Sequence, residues 1–282
     1  MSKKSFRDMT SRIMPDQKML DAMTRDLSFV PSSATNAISL TKDQIGQFNR
    51  NGFLMPLDRS DTKETENLRE YFDNLLARVQ AAGADSYSII SGQVKHARIY
   101  DIAKDERILR YVRDLIGNDI VCWGAHFFCK MPGDGKAVSW HQDASYWPLT
   151  PSKTVTCWLA IDRSDRENAC MRFIPGSHSE GHINYRASEP SEDNVLNQTV
   201  DNAERFGEPV DVILDAGQFS LHSDLLLHGS GKNSSSRRRG GLTLRYAATE
   251  VRSLLNWNNE GVVVSGVDAD NHWGNPPRPE ND

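Results

Sequence analysis

The residues best equipped for chemistry are Trp140-His141-Gln142-Asp143. Side chains alternate between faces along a strand, so a His and an Asp two positions apart share one face. An imidazole beside a carboxylate, joined by a distant second His, makes a two-His-one-carboxylate face. That face leaves half of an octahedral iron open for substrate and oxygen. His-x-Asp alone is a weak signal, because it recurs by chance. The second His is open at this point: His178, His182 and His272 stand in turns or polar stretches, whereas His222 and His228 both fall in apolar, strand-like segments with the same parity. The sequel His228-Gly229-Ser230, with Arg239 further on, sets His228 apart.

The rest of the chain must position these groups. Its 282 residues suffice for one large domain, and a net charge of -5 argues against a nucleic-acid surface, which clusters Lys and Arg. The one basic run, Arg237-Arg238-Arg239, is short. Cys122, Cys129, Cys157 and Cys170 lack metal-site spacing and sit in apolar runs, as reduced core thiols do. No apolar run is long enough to cross a bilayer and Met1 to Leu20 holds no signal-like apolar region, so the expectation is a soluble, cytoplasmic protein without membrane or nucleic-acid partners.

Residues 1–40 read as a polar arm, and 41–282 as a single domain. Thr41 to Gln44 has the form of a helix cap and Asn51-Gly52 that of a stop, after which Phe53 to Pro56 reads as a strand. Apolar residues recur at helical spacing from Thr62 to Ala82, and a further helix is expected from Asp105 to Ile116. Beyond Asn118 come short apolar runs: Ile120 to Trp123, Ala125 to Lys130, Val155 to Ile161, Met171 to Ile174, Val210 to Leu214, Phe219 to Leu221 and Leu242 to Ala247. Turn signals such as Pro175-Gly176-Ser177 separate them. The pattern predicts a mainly β fold with flanking helices, a double-sheet barrel or jelly roll. The polar stretch 182–205 reads as an insertion, either a lid or disordered.

His141-Gln142-Asp143, His228-x-Ser230 and Arg239, with Pro175-Gly176-Ser177-His178 and the run Leu242 to Tyr246, resemble the phytanoyl-CoA hydroxylase-like family of iron(II)/2-oxoglutarate dioxygenases. The resemblance covers about Leu40 to Arg252. It implies a double-stranded β-helix, with iron(II) held by His141, Asp143 and His228, and 2-oxoglutarate and O2 as co-substrates. It also implies that Arg239 grips the distal carboxylate of 2-oxoglutarate, a planar guanidinium matching a carboxylate with two parallel hydrogen bonds. Ser230 would donate its hydroxyl to the same molecule. Trp158 and Gln142 fall at cofactor-contacting positions, as do His126, where relatives often show Met, and Arg98, where they show Lys. Halogenating relatives lack the carboxylate, so Asp143 points to hydroxylation, with succinate and CO2 as co-products.

Strand parity extends the reading to the substrate. If Arg239 points inward, so do Gly241, Thr243 and Arg245, while Leu242, Leu244 and Tyr246 face the helices. Arg245 would then be a second buried cation, paired with an internal carboxylate such as Asp224 or awaiting an anionic ligand. With Tyr146, Trp147 and Arg172 it would suit a small polar acid better than a long acyl chain. His141–Trp147 and Arg239–Ala247 are also similar to relatives that hydroxylate small organophosphonates, which makes an aminoalkylphosphonate the specific expectation. An amino-acid-like or natural-product substrate is the alternative. Two further classes remain: a zinc hydrolase on the same ligands, which leaves Ser230 and Arg239 unexplained, and a jelly-roll binding protein without turnover.

Overall fold

The computed structural model describes residues 12–33, 35, 37–59 and 61–282, so residues 1–11 of the expected arm lie outside the described residues. Helices form where the caps predict them. Thr41 and Gln44 cap Lys42–Asn51 reciprocally, and Gly52 ends that helix in the left-handed region at φ 83°. A side chain at Gly52 would also meet His178 at 2.7 Å, so the turn into the strand Phe53–Asp58 requires glycine. Asp61 caps Thr62–Ala81, and Asp105 caps Glu106–Ile116.

The apolar stripes of the last two helices, among them Leu68, Phe72, Leu75, Ile108 and Val112, bury against Phe127, Leu159, Leu242, Leu244 and Tyr246 of a large sheet. Each such fully buried side chain contributes roughly 1.5–3 kcal/mol. The sheet runs Phe53–Asp58, Gln218–Ser223, Thr154–Ala160, Arg239–Ala248, Ile120–Lys130, Val262–Ser265, with Ile89–Ile90 also on Ile120–Lys130. The two apolar runs expected between Ile120 and Lys130 are one continuous strand. A smaller sheet faces it, ordered Val210–Asp211, Arg172–Phe173, His228–Ser230, Val138–His141. All these pairings are antiparallel. The fold is a double-stranded β-helix with helices outside the large sheet, and its interior is left for the site.

Two segments frame the open end of that interior. In the stretch 182–205 the strands Arg186–Ala187 and Gln198–Thr199 pair with each other. The Asn194 side chain ties this hairpin to the barrel, accepting from the Ser139 amide at 2.9 Å and donating to Ser139 Oγ at 2.6 Å. On the other side runs the segment 12–26, where Leu20 is buried in the short helix Gln17–Asp21. Arg25 Nη1 donates to the carbonyls of Ala144 at 2.8 Å and Trp147 at 2.7 Å, and Trp257 Nε1 donates to the Ile13 carbonyl at 2.9 Å. No helix among the described residues is long and apolar enough to cross a membrane.

Candidate active site

His141 and His228 are direct cross-strand partners in the smaller sheet, with ring centroids 4.0 Å apart. Asp143 does not continue the strand but opens the turn Asp143–Ser145, and it reaches the same side by that route. One ligating atom from each of His141, Asp143 and His228 lies within 4.8 Å of the others. Each imidazole has Nδ1 beside a carbonyl, of Ser139 at 2.8 Å for His141 and of Leu226 at 3.0 Å for His228. A carbonyl can only accept, so Nδ1 carries the proton and the Nε2 lone pair is left for a metal. Burial pushes the His141 pKa well below its ordinary value, which keeps the ring in its neutral, ligating form. Asp143 Oδ1 lies 3.8 Å from His141 Nε2, while Oδ2 accepts from the Thr156 hydroxyl at 3.3 Å. Two neutral imidazoles and one carboxylate fit a divalent cation.

The triad lies on the wall of a cavity of about 730 Å³. Arg239 and Arg245, six residues apart on one strand, both line it, some ~20 Å from each other at strand rise. Arg239 is 1% exposed and donates Nη1 to the Ala169 carbonyl at 2.7 Å, but its Nε has no partner. Among the described residues no carboxylate lies within ion-pair distance of it. Burial lowers its pKa only to about 10, so the guanidinium stays charged at neutral pH. Its carbon stands 5.7 Å from the Trp158 ring, and the nearby Ser230 hydroxyl is buried without a partner. A buried cation beside an idle hydroxyl is what a distal carboxylate of a bound acid would satisfy.

Trp158 in turn rests on Gly241, where an added Cβ would lie 2.2 Å from the indole. Gly241→Ala is therefore expected to displace Trp158 and destabilise the fold by about 1–3 kcal/mol, as overpacking does. Urea denaturation measures this; an unchanged midpoint would show that the ring shifts freely.

At the other end Arg245 lies between two indoles, 5.3 Å from the Trp147 centroid and 5.6 Å from that of Trp123. Its Nε has no hydrogen-bond partner, and neither has the buried Tyr146 hydroxyl on the same cavity. Asp224 does not neutralise Arg245: its carboxyl accepts from the Ser152 hydroxyl at 2.6 Å, and burial pushes its pKa up to about 6.

The structure takes three expected residues out of the site. Gln142 points away from the cavity; its amide donates to the carbonyls of Gly181 at 2.8 Å and Leu225 at 2.6 Å and accepts from the Ile183 amide at 2.8 Å. Its hydrogen-bonding capacity is spent on bracing the loops behind the triad. Arg98 sits on the outer helix Ala97–Ala103 with its guanidinium 4.8 Å from the Tyr71 ring. Arg172 is exposed and pairs with Asp211 at 3.3 Å, because its neighbour Phe173 takes the inward face. His126 does line the cavity, with Nε2 donating to the Tyr87 carbonyl at 2.8 Å.

Three contributors escaped the sequence reading. Lys130 is fully buried beside Arg239 and donates its ammonium to the carbonyl of Gly231, next to Ser230, and to that of Lys136. Its parity with His126 and Phe128 on one strand was the available signal. Thr156 could have been found from its parity with Trp158. The segment from Met14 to Asp21, which lines the cavity mouth, left no local signal.

Three buried residues that fit a divalent cation, inside a jelly roll and on one cavity with an uncompensated guanidinium, are the arrangement expected of an iron(II)/2-oxoglutarate-dependent dioxygenase. Residues 48–241 match the model of the phytanoyl-CoA dioxygenase (PhyH) family, and the chain belongs to that family of 2-oxoglutarate-dependent dioxygenases. It is similar to a probable alpha-ketoglutarate-dependent hypophosphite dioxygenase of Stutzerimonas stutzeri, 31% identical over 60% of each chain. It is also similar to the peroxisomal phytanoyl-CoA dioxygenase of Bos taurus, 24% identical over 75% of this chain and 69% of that one. Among solved structures, the non-heme monooxygenase ThoJ superimposes with a TM-score of 0.70 at 26% identity, over 84% of this chain and 88% of that chain. EctD from S. alaskensis shares the fold at 20% identity, with a TM-score of 0.68 over 86% of this chain and 89% of that one. Iron(II) and 2-oxoglutarate are the cofactors of this class.

Proposed function

We propose that the protein hydroxylates a small acidic substrate, and that an organophosphonate such as an aminoalkylphosphonate is its type. One oxygen atom of O2 enters a C–H bond of the substrate to give C–OH, and the other enters the succinate that forms as 2-oxoglutarate loses CO2. Bound iron(II) supplies the oxidising chemistry. His141, Asp143 and His228 hold it on one face, Arg239 and Ser230 orient the co-substrate, and the walls exclude water.

The observation that carries the substrate reading is Arg245, a buried guanidinium with an unpartnered Nε on the cavity that holds the triad. The indoles of Trp123 and Trp147 already enclose this internal cation, so the pocket offers an acid a charge and offers a quaternary ammonium none. The resemblance to a probable hypophosphite dioxygenase, whose name denotes a small phosphorus oxyanion, supports the same choice. A zinc hydrolase would leave the idle Ser230 hydroxyl and the uncompensated Arg239 without purpose. The four buried, unpaired cysteines suit a reducing compartment, and we place the enzyme in the cytoplasm.

The test is substrate-stimulated succinate release across aminoalkylphosphonates, amino acids and acyl-CoAs. Phosphonates are expected to stimulate most, and Arg245→Leu to lower that kcat/KM by roughly 100-fold, as loss of a buried charge partner does. Selective activity on a long acyl chain, untouched by Arg245→Leu, would rule the proposal out.

A further inference from the structure

His222, which competed with His228 for the metal, is not part of the ligand cluster, yet it is 1% exposed and lines the same cavity. Its ring lies 5.0 Å from those of both Phe173 and His228, and neither ring nitrogen has a hydrogen-bond partner. A buried imidazole with both nitrogens idle is costly unless something in the loaded site uses them. Nε2 stands 4.0 Å from Asp143 Oδ2, beyond hydrogen-bond reach, and that oxygen already accepts from Thr156.

Register shows what His222 serves. Thr156 pairs with His222 on one neighbouring strand and with Arg245 on the other. The three side chains therefore form one row across the inner face of the large sheet, with strands about 4.8 Å apart. The row begins with an idle imidazole, passes a hydroxyl already given to Asp143 and ends on a guanidinium whose Nε is idle.

We infer that His222 and Arg245, on either side of Thr156, form a cross-strand cradle for a tetrahedral oxyanion, in which His222 selects a three-oxygen head over a planar carboxylate. A guanidinium satisfies both oxygens of a carboxylate with two parallel hydrogen bonds. A phosphonate brings a third oxygen, and the His222 N–H is the donor left for it. The inference rests on the proposed binding of the substrate's acidic group at Arg245 and adds the residue that discriminates between acids.

The full-length protein, loaded anaerobically with iron(II) and 2-oxoglutarate, is titrated with 2-aminoethylphosphonate and with β-alanine, which differ only in the acidic head. Binding is followed by calorimetry and by the shift of the metal-to-ligand charge-transfer band. Wild type is expected to bind the phosphonate about tenfold or more tightly than β-alanine, the worth of one charge-assisted hydrogen bond. His222→Leu and His222→Met should each bring the two affinities within about twofold while β-alanine binding and iron content hold, and His222→Gln, which keeps a donor, should retain most of the preference. Two apolar variants that keep the preference would overturn the cradle and leave the proposed function standing, as would a wild type that does not distinguish the probes. If Arg245→Leu leaves both affinities unchanged, the reading beneath it falls as well.

Discussion

Alanine at His141, Asp143 or His228 is expected to abolish succinate formation and to weaken iron binding by well over 100-fold. Disturbing residues that merely support metal ligands already costs about 10–100-fold, and here a ligand itself is removed. The fold should survive, because all three side chains face the cavity, while the apolar core lies between the helices and the large sheet. Iron content, far-UV circular dichroism and 2-oxoglutarate turnover together test this. Retained iron in His228→Ala with iron lost in a His222 variant would reverse the assignment of the second histidine. Asp143→Ala should also remove the acceptor of the Thr156 hydroxyl, so its defect should exceed what lost charge alone would give.

The Arg239 variants should separate co-substrate binding from metal binding. In Arg239→Ala, the distal carboxylate of 2-oxoglutarate would enter a buried site without its counter-charge, at a cost of roughly 2–5 kcal/mol in affinity. Arg239→Lys keeps a charge but not the planar pair of donors. It also places a second ammonium beside Lys130, whose own pKa burial lowers to about 7. Lysine is therefore expected to rescue affinity only in part. Titration of 2-oxoglutarate into the anaerobic iron(II) form, read at the charge-transfer band, measures both variants. Unchanged affinity in Arg239→Ala would remove Arg239 from the co-substrate site.

Strand parity encodes much of the site that is legible in the sequence. Alternation along Arg239–Ala248 sets Arg239, Thr243 and Arg245 against the cavity and Leu242, Leu244 and Tyr246 against the helices, as predicted. By the same rule Gln142, between two inward residues, faces outward, where its amide meets Gly181, Leu225 and Ile183 and not the position that the family resemblance implies. Arg172 fails likewise, between the buried Met171 and Phe173. Arg98 lies where the chain folds into two short outer helices, Gly92–Lys95 and Ala97–Ala103, neither of which has a side-chain cap to announce it. The roles of Arg25 and Leu20 come from contacts more than 100 residues away in the case of Arg25, and no local pattern encodes such a contact.

The distribution of the cavity along the chain has a practical consequence. His141, Asp143, Ser230 and Arg239 all fall inside the stretch 48–241 that matches the family model, whereas Arg245, Trp257 and the Met14 to Asp21 wall lie outside it. Part of the cavity wall is thus carried outside the family stretch and is stitched to it by Arg25 at the turn that follows Asp143. Engineers seeking a new substrate should therefore recombine the two ends of the chain, exchanging residues 12–26 and 245–257 as a matched pair, because each end touches the other through Ile13 and Trp257.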